Sequence, residues 1–121
     1  MTLIIGGRGQ GKLAYVRTKY GVAEEEIGIG LGETRVIYGL QETIRALLAE
    51  GEDPQAAVLA HADAHPETIY LCDEVGCGVV PAAPEQRAWR EAVGRCCTAL
   101  AGRADRVERI FCGLPLVLKE C

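Results

Sequence analysis

The amino-acid sequence predicts an α/β fold in which a mostly parallel sheet is flanked by helices. Short apolar runs alternate with segments of helical periodicity along the 121 residues of the chain, the order of elements found where helices connect parallel strands. The apolar runs are continuous and do not alternate with polar residues, which indicates strands that are buried on both faces. At this length we expect one domain, spanning residues 1–121.

The individual elements follow from local patterns. Strands are predicted at Thr2–Ile5, Thr34–Tyr38, 68–74, 107–113 and 114–120, the last at an edge because Pro115 lacks an N–H group. Helices are predicted at Lys12–Tyr20, Gln41–Glu50, Pro54–Ala64 and Glu85–Ala101. The segment 21–33 is rich in glutamate and glycine, and we expect a mobile surface segment outside the core, either a lid or a disordered insert.

Composition and charge restrict the possible partners and compartment. The net charge of −4 at pH 7 argues against a nucleic-acid binder, which would carry a basic surplus or stripe. We find no apolar run of membrane-spanning length and no secretory signal, and we therefore expect a cytoplasmic protein that contacts no membrane. The six cysteines are then expected to stay reduced and to pack as small apolar residues. His61 and His65 are expected at a helix end or on the surface, not as metal ligands.

A glycine-rich stretch at residues 4–15, IIGGRGQGKLAY, has the spacing of a phosphate-binding loop, Gly6-x-x-x-x-Gly11-Lys12. Its glycines let several N–H groups point at one anion, its lysine balances phosphate charge, and the following helix offers its N-terminus. The motif therefore predicts a P-loop NTPase-like fold. The alternative is a glycine-rich turn that only packs a helix against a strand. The expected nucleotide-binding residues are Gly6, Gly7, Arg8, Gly9, Gln10, Gly11, Lys12 and Leu13.

Leu13 departs from the usual pattern, in which a Ser or Thr hydroxyl at this position ligates Mg²⁺. We expect nucleotide affinity to survive this change, because backbone amides and Lys12 provide most of the contacts to the phosphates. Placement of Mg²⁺, and with it the rate of phosphoryl transfer, should suffer. A water molecule or a neighbouring carboxylate would have to fill the missing position.

A second candidate feature is the apolar run TIYLCDE, which ends in Asp73 and Glu74. Ligands bind at the carboxyl ends of the strands in open parallel sheets, and these two acids can therefore face the loop at residues 6–12. One carboxylate would hold Mg²⁺ and the other would orient the nucleophile. We thus predict Lys12, Asp73 and Glu74 as catalytic residues and the two acids as metal ligands; the alternative is a strand that ends in solvated acids.

Four stretches together resemble the adenosylcobinamide kinase / adenosylcobinamide-phosphate guanylyltransferase family of cobalamin biosynthesis. They are IIGGRGQGK at residues 4–12, CDEVGCGVVP at 72–81, RAWREAVGR at 87–95 and VERIFCGLPLVLK at 107–119. Members of the family typically carry GGARSGKS, NEVGxGIVP, a helix ending GRxNQ, and VAGLPLxLK. The resemblance covers residues 1–20 and about 70–119, and the stretch Glu74–Pro81 is its most specific part.

The resemblance implies a parallel-sheet phosphate-loop fold, often in a trimer, and we expect a homo-oligomer. It implies phosphorylation of a cobinamide hydroxyl with ATP or GTP and Mg²⁺, followed by transfer of GMP from GTP through a histidine that carries the nucleotide. Carried over by position, residues 6–12 would hold the triphosphate and Glu74 would lie near metal or substrate. Arg87, Arg90 and Arg95 fall on the helix that carries matching arginines, and they are the expected substrate-binding residues.

Two interpretations of the whole sequence remain open. In the first, the chain is a shortened kinase of this type; the guanylyltransferase step is not expected, because no histidine precedes His61. In the second, the chain is a catalytically decayed nucleotide-binding or assembly protein that acts with a partner, as Leu13 and the missing histidine suggest. A generic small-molecule kinase would explain the phosphate loop but not the match at Glu74–Pro81.

Overall fold

The computed structural model describes residues 1–75 and 83–120. The expectations for Cys77, Cys121 and most of the stretch Glu74–Pro81 fall outside these residues. The elements are β1 (Thr2–Gly6), α1 (Lys12–Tyr20), β2 (Ile27–Ile29), β3 (Val36–Tyr38), α2 (Leu40–Ala49), α3 (Pro54–Ala64), β4 (Ile69–Asp73), α4 (Pro84–Arg103), β5 (Arg106–Phe111) and β6 (Leu114–Glu120). A single 3-10 turn, Glu24–Glu26, precedes β2.

The strands form one sheet in the order β2-β3-β4-β1-β5-β6. Neighbouring strands from β2 to β5 pair in parallel, and β6 pairs antiparallel with β5. The mostly parallel sheet flanked by helices that the sequence predicts is therefore confirmed, and β6 lies at the predicted edge. None of the helices described here is long and apolar enough to cross a membrane.

Helices cover both faces of the sheet and create two apolar cores. On one face, Val16 of α1 packs with Ile4, Leu71 and Ile110. On the other face, α2, α3 and α4 pack over the opposite side of the same strands. Neighbouring residues such as Leu3 and Ile4 are both buried but belong to different cores, because successive side chains of a strand point to opposite faces. This explains the continuous apolar runs of the sequence.

Part of segment 21–33 belongs to the sheet and the core, which contradicts the prediction of a segment outside the core and the alternative of a disordered insert. Ile27–Ile29 forms the edge strand β2 and pairs in parallel with β3, and Val22 is buried against the α1 core. Gly28 makes this pairing possible, since a Cβ at that position would lie 2.5 Å from Oγ1 of Thr34. Gly28 thus permits a close approach of two chain segments, whereas a Cβ on Gly21, Gly30 or Gly32 would meet no atom within 4 Å.

Three further expectations need correction. Helix α4 begins at Pro84 and extends to Arg103, slightly beyond both predicted ends. His61 lies in the last turn of α3, at the expected helix end, but its side chain is buried and not on the surface. Its ring nitrogens hydrogen-bond to the Tyr70 hydroxyl and the Gly32 carbonyl. Cys112 is exposed in the turn between β5 and β6, whereas the other cysteines described here are buried or half-buried.

A fully buried carboxylate joins α1 to the sheet. Glu108 of β5 has no exposed surface, and it accepts hydrogen bonds from the hydroxyls of Tyr15 and Tyr20. Nε of Arg106 lies 3.3 Å from Oε2 of Glu108, and Nη1 of Arg106 lies 2.9 Å from Oε1 of the exposed Glu120. Burial raises the pKa of Glu108, but hydrogen bonds from the two tyrosines and Arg106 outweigh it and lower the pKa overall.

Replacing Glu108 by alanine should lower the free energy of unfolding by about 3–5 kcal/mol, since the mutation leaves Arg106 and two tyrosine hydroxyls without a buried partner. Urea unfolding measures this change. Glu120→Ala is the matched control, because it removes the exposed partner of the same arginine and should cost less than about 1 kcal/mol. Equal losses for the two variants would contradict a stabilising role for the buried pair.

The same carboxylate should also make stability depend on pH. A carboxyl group whose pKa is lowered on folding stabilises the fold above its unfolded pKa, and this contribution is lost as the pH falls through its folded pKa. The difference in unfolding free energy between the wild type and Glu108→Ala should therefore be largest near neutral pH and shrink in acid. A constant difference from neutral pH into acid would show that the charge of Glu108 does not matter.

Candidate functional site

The phosphate loop lies between β1 and α1, in the middle of the sheet. Gly9 and Gly11 have φ angles of 75° and 90°, a backbone conformation that side chains with a Cβ rarely adopt. Gly11 is also the N-cap residue of α1, with no side-chain cap hydrogen bond. The first N–H groups of α1 are therefore not satisfied by a capping side chain, as an anion site at a helix N-terminus requires.

The loop is anchored against β5 and the turn that follows it. A Cβ on Gly6 would lie 2.6 Å from the carbonyl oxygen of Ile110, so that only glycine fits there. The Gln10 side-chain oxygen accepts a hydrogen bond from the Cys112 N–H at 2.7 Å, and the Gln10 carbonyl accepts one from the Gly113 N–H at 2.8 Å. Gln10 thus ties the loop to the β5–β6 turn.

Lys12 is held by three oxygen atoms at the base of the loop. Its Nζ donates hydrogen bonds to the carbonyls of Gly6 and Gly7 at 3.1 and 2.9 Å, and it lies 2.7 Å from Oδ1 of Asp73. The side chain is only 10% exposed. An ammonium group has three N–H donors, and these three oxygens therefore fix its position beside the carboxylate.

Asp73 reaches Lys12 because β4 pairs with β1 and places Asp73 opposite Gly6. Its second carboxylate oxygen, Oδ2, accepts a hydrogen bond from Nε2 of Gln41 at 3.2 Å, while its N–H donates to Oε1 of Gln41 at 3.0 Å. The sequence analysis missed Gln41. The sequence feature that could have indicated Gln41 is its position shortly after the carboxyl end of β3. The carboxyl ends of neighbouring parallel strands lie at the same edge of the sheet, and ligands bind there.

Glu74 faces a different partner from Asp73. Arg109 of β5 donates to it from Nε at 2.7 Å and from Nη2 at 3.0 Å, a bidentate contact between a planar guanidinium and a carboxylate. The N–H of Glu74 also donates to the Gly6 carbonyl at 2.9 Å. The predicted pair of acids is therefore positioned by two different cations, and Arg109 is a second residue that the sequence analysis missed.

A cavity of about 1210 Å³ opens above these residues. Among the predicted site residues, its lining includes Arg8, Gly9, Gly11, Lys12, Leu13, Asp73 and Glu74. Gly6 and Gly7 contribute carbonyl acceptors to Lys12 at its base. Leu13 also packs against the α1 core, so that an apolar side chain occupies the position of the usual hydroxyl.

The three arginines expected to bind substrate lie on α4, apart from the described lining of this cavity. Arg95 lines a separate groove with Gln55 and Thr98, and its Nη1 is 3.9 Å from Oε2 of Glu91. Arg87 is exposed and Arg90 is half-buried. Helix α4 instead contributes Trp89 to the cavity.

The described residues around the loop offer too few ligands to bind Mg²⁺ alone, but they can bind it together with the phosphates of a nucleotide. Groups of three or more His, Cys, Asp or Glu side chains that could hold a metal ion are absent from residues 1–75 and 83–120. Mg²⁺ in nucleotide sites is usually held by one or two carboxylates together with phosphates and water. Asp73, half-buried in the cavity wall, offers such a carboxylate, and Leu13 offers none.

The fold and the loop define an α/β protein of the P-loop NTPase-like class. A family model described as Cobinamide kinase / cobinamide phosphate guanyltransferase matches residues 36–118, and the chain belongs to this family. The resemblance found in the sequence is thereby confirmed. No curated protein matches the chain. Membership supports a kinase- or guanyltransferase-like function in cobalamin biosynthesis, of the general kind that the family description names.

The matched range begins at β3 and includes Gln41, Asp73, Glu74, Trp89 and Arg109, but it begins after the phosphate loop. The assignment of the loop therefore depends on its own spacing, backbone conformation and contact with Asp73.

Gly11→Ala should destabilise the protein by about 1–2 kcal/mol, because alanine is strained at this positive φ angle, and it should also weaken nucleotide binding. The control is Gly94→Ala within α4, where a Cβ would meet no atom within 4 Å and where alanine should stabilise the helix by about 0.5–1 kcal/mol. Thermal unfolding and nucleotide titration measure both. Unchanged stability in Gly11→Ala would contradict the left-handed loop conformation.

Proposed function

We propose that the chain is a kinase that transfers the γ-phosphoryl group of ATP or GTP to a hydroxyl group of cobinamide. The observation that carries this proposal is the position of Lys12, whose ammonium lies between two loop carbonyls and Asp73 at the cavity wall. Membership of the cobinamide kinase family supplies the class of acceptor.

In the proposed reaction, the cobinamide hydroxyl oxygen attacks the γ-phosphorus of the nucleotide. A new P–O bond forms, the bond from the γ-phosphorus to the β,γ-bridging oxygen breaks, and the nucleoside diphosphate leaves with that electron pair. The hydroxyl proton passes to the Glu74 carboxylate, which the bidentate contact with Arg109 holds in place. The transition state is loose, so that positioning and charge stabilisation account for most of the catalysis.

The loop residues bind and orient the phosphates in this proposal. The N–H groups from Gly7 to Lys12 form the anion site, and Lys12 turns from Asp73 to the outer phosphates and neutralises their charge. Asp73 and water would then hold Mg²⁺. When bound, the ion supplies charge neutralisation on the outer phosphate oxygens.

A second candidate function is a nucleotide-binding protein without catalytic activity that acts with a partner. The observation that favours it is Leu13, which lines the cavity where a metal-binding hydroxyl usually lies. Both candidates use the same phosphate loop, and the response to Mg²⁺ distinguishes them.

We further propose that the single domain forms a homo-oligomer. Phe111, Leu114 and Leu116 on and beside the edge strand β6 are 63%, 70% and 57% exposed. Contiguous apolar patches of this kind are uncommon on monomers and mark contact surfaces. A cytoplasmic location remains a prediction of the sequence.

Lys12→Ala should weaken the binding of GTP or ATP by about 10- to 100-fold, because it removes a charged hydrogen-bond donor to the phosphates. Titration calorimetry with each nucleotide, with and without Mg²⁺, measures the effect. Lys19→Ala is the matched control, since Lys19 lies exposed in the last turn of the same helix and should leave the affinity unchanged. Equal affinities in wild type and Lys12→Ala would exclude a phosphate site at this loop.

Leu13→Ser should increase the dependence of nucleotide binding on Mg²⁺, because the new hydroxyl can ligate the ion. Titration calorimetry of nucleotide binding at increasing Mg²⁺ concentrations measures this dependence, and a parallel assay follows phosphorylation of cobinamide by wild type and variant. Transfer by both proteins supports the kinase. Transfer by the variant alone supports the candidate without catalytic activity and overturns the kinase proposal.

A further inference from the structure

The cavity extends well beyond the phosphate loop, and the described residues that line it lie on one side of the loop. Its volume of about 1210 Å³ exceeds the roughly 300–1,000 Å³ of a pocket for one small ligand. The lining continues from the loop past β4 to the carboxyl ends of β3 and β2, and the described residues of β5 and β6 do not contribute to it. The space therefore lies on the Asp73 side of the loop.

The far end of the cavity carries apolar side chains that the core does not use. Ile29 at the end of β2 is 87% exposed and Tyr38 at the end of β3 is 40% exposed, and both line the cavity. Single exposed apolar residues are common, but Ile29 and Tyr38 lie at the ends of two neighbouring strands and line the same cavity. They offer an apolar surface within reach of a bound nucleotide.

The same end also has a flat polar surface. The Arg45 guanidinium lies over the Trp89 ring at 3.8 Å from its centroid. The Trp89 indole N–H donates to the Gln41 carbonyl at 2.8 Å, and Nε of Arg45 lies 3.2 Å from a carboxylate oxygen of Glu42. The stacked pair is thus fixed in place by α2, and it combines aromatic area with hydrogen-bond donors.

The direction of the phosphate chain decides which substrate this end receives. Lys12 binds the outer phosphates in the proposed function, and its ammonium lies 2.7 Å from Asp73. The γ-phosphate end therefore points toward Asp73, and the nucleoside trails away from it. Phosphoryl transfer needs the attacking oxygen roughly in line with the leaving oxygen, on the opposite side of the phosphorus. The acceptor must then approach from the β3–β2 side.

We propose that Ile29, Tyr38 and the Arg45–Trp89 stack are the residues that bind the acceptor alcohol of the proposed kinase and determine its specificity for an acceptor with a large apolar surface. This inference depends on the proposed function for the direction of the nucleotide. The apolar side chains would contact the apolar surface of the acceptor, and the Arg45 guanidinium would donate hydrogen bonds to its polar groups. The nucleotide base has no part in this subsite.

The test compares Tyr38→Ala and Ile29→Ser with Val117→Ser, which changes a residue of β6 that is 40% exposed, as Tyr38 is, and that lies outside the cavity lining. Cobinamide is the probe, and its binding is followed by its own absorbance; nucleotide binding is followed separately by calorimetry. Both cavity variants should bind cobinamide about tenfold more weakly, because apolar contact area is lost. Their nucleotide affinity, and both affinities of Val117→Ser, should match the wild type.

Three results would overturn the subsite. The first is no binding of cobinamide by the wild type, and the second is an unchanged cobinamide affinity in both cavity variants. The third is a loss of nucleotide affinity in these variants as large as their loss of cobinamide affinity, which would place the nucleotide base on this wall. Circular dichroism and thermal unfolding of each variant exclude misfolding as the cause. Cobinamide binding that depends on Tyr38, without any phosphoryl transfer, supports the subsite and removes the kinase proposal. Transfer with an unchanged KM for cobinamide in both variants is the kinetic form of the second result, and it removes the subsite while it supports the kinase proposal.

Discussion

The parallel pairing of β1 with β4 is the constraint on which the candidate site depends. It places Asp73 opposite Gly6, so that the strand leading into the phosphate loop ends beside a carboxylate. Lys12 then reaches Asp73 at 2.7 Å across the two strand ends. The pairing itself requires close packing on the other side of β1, where a Cβ on Gly6 would collide with the carbonyl of Ile110. A glycine of the motif thus serves the sheet as well as the anion site.

Three hydrogen-bonded contacts hold the loop and the elements next to it in place. Gln41 holds the carboxylate of Asp73 from α2, Gln10 ties the loop to the β5–β6 turn, and Glu108 holds two tyrosines of α1 against β5. Preorganised donors stabilise developing charge without a cost of rearrangement at the moment of reaction. The buried Glu108 lies away from the cavity lining, yet it fixes the helix whose N-terminus faces that cavity.

The sequence predicted what depends on local patterns and missed what depends on distant contacts. Helices α1 and α3 have the predicted bounds, because Gly21 and Pro54 provide local stop and start signals. Strand β2 was missed, since Gly28 suits a strand only where Thr34 approaches it. The loop and the acids were recognisable as motifs, but Gln41 and Arg109 are separated from Asp73 and Glu74 by more than thirty residues, and only the topology brings them together.

The separate environments of the two acids also explain how the site can function with Leu13. Adjacent residues at a strand end point in different directions, so that Asp73 contacts Lys12 while Glu74 contacts Arg109. If both acids shared one cation, binding of phosphates by that cation would release two carboxylates together. In the proposed kinase, movement of Lys12 to the phosphates would release only Asp73, beside the position where a hydroxyl is missing. A carboxylate that becomes available only when phosphate arrives can compensate for Leu13 without leaving an unpaired charge in the empty site.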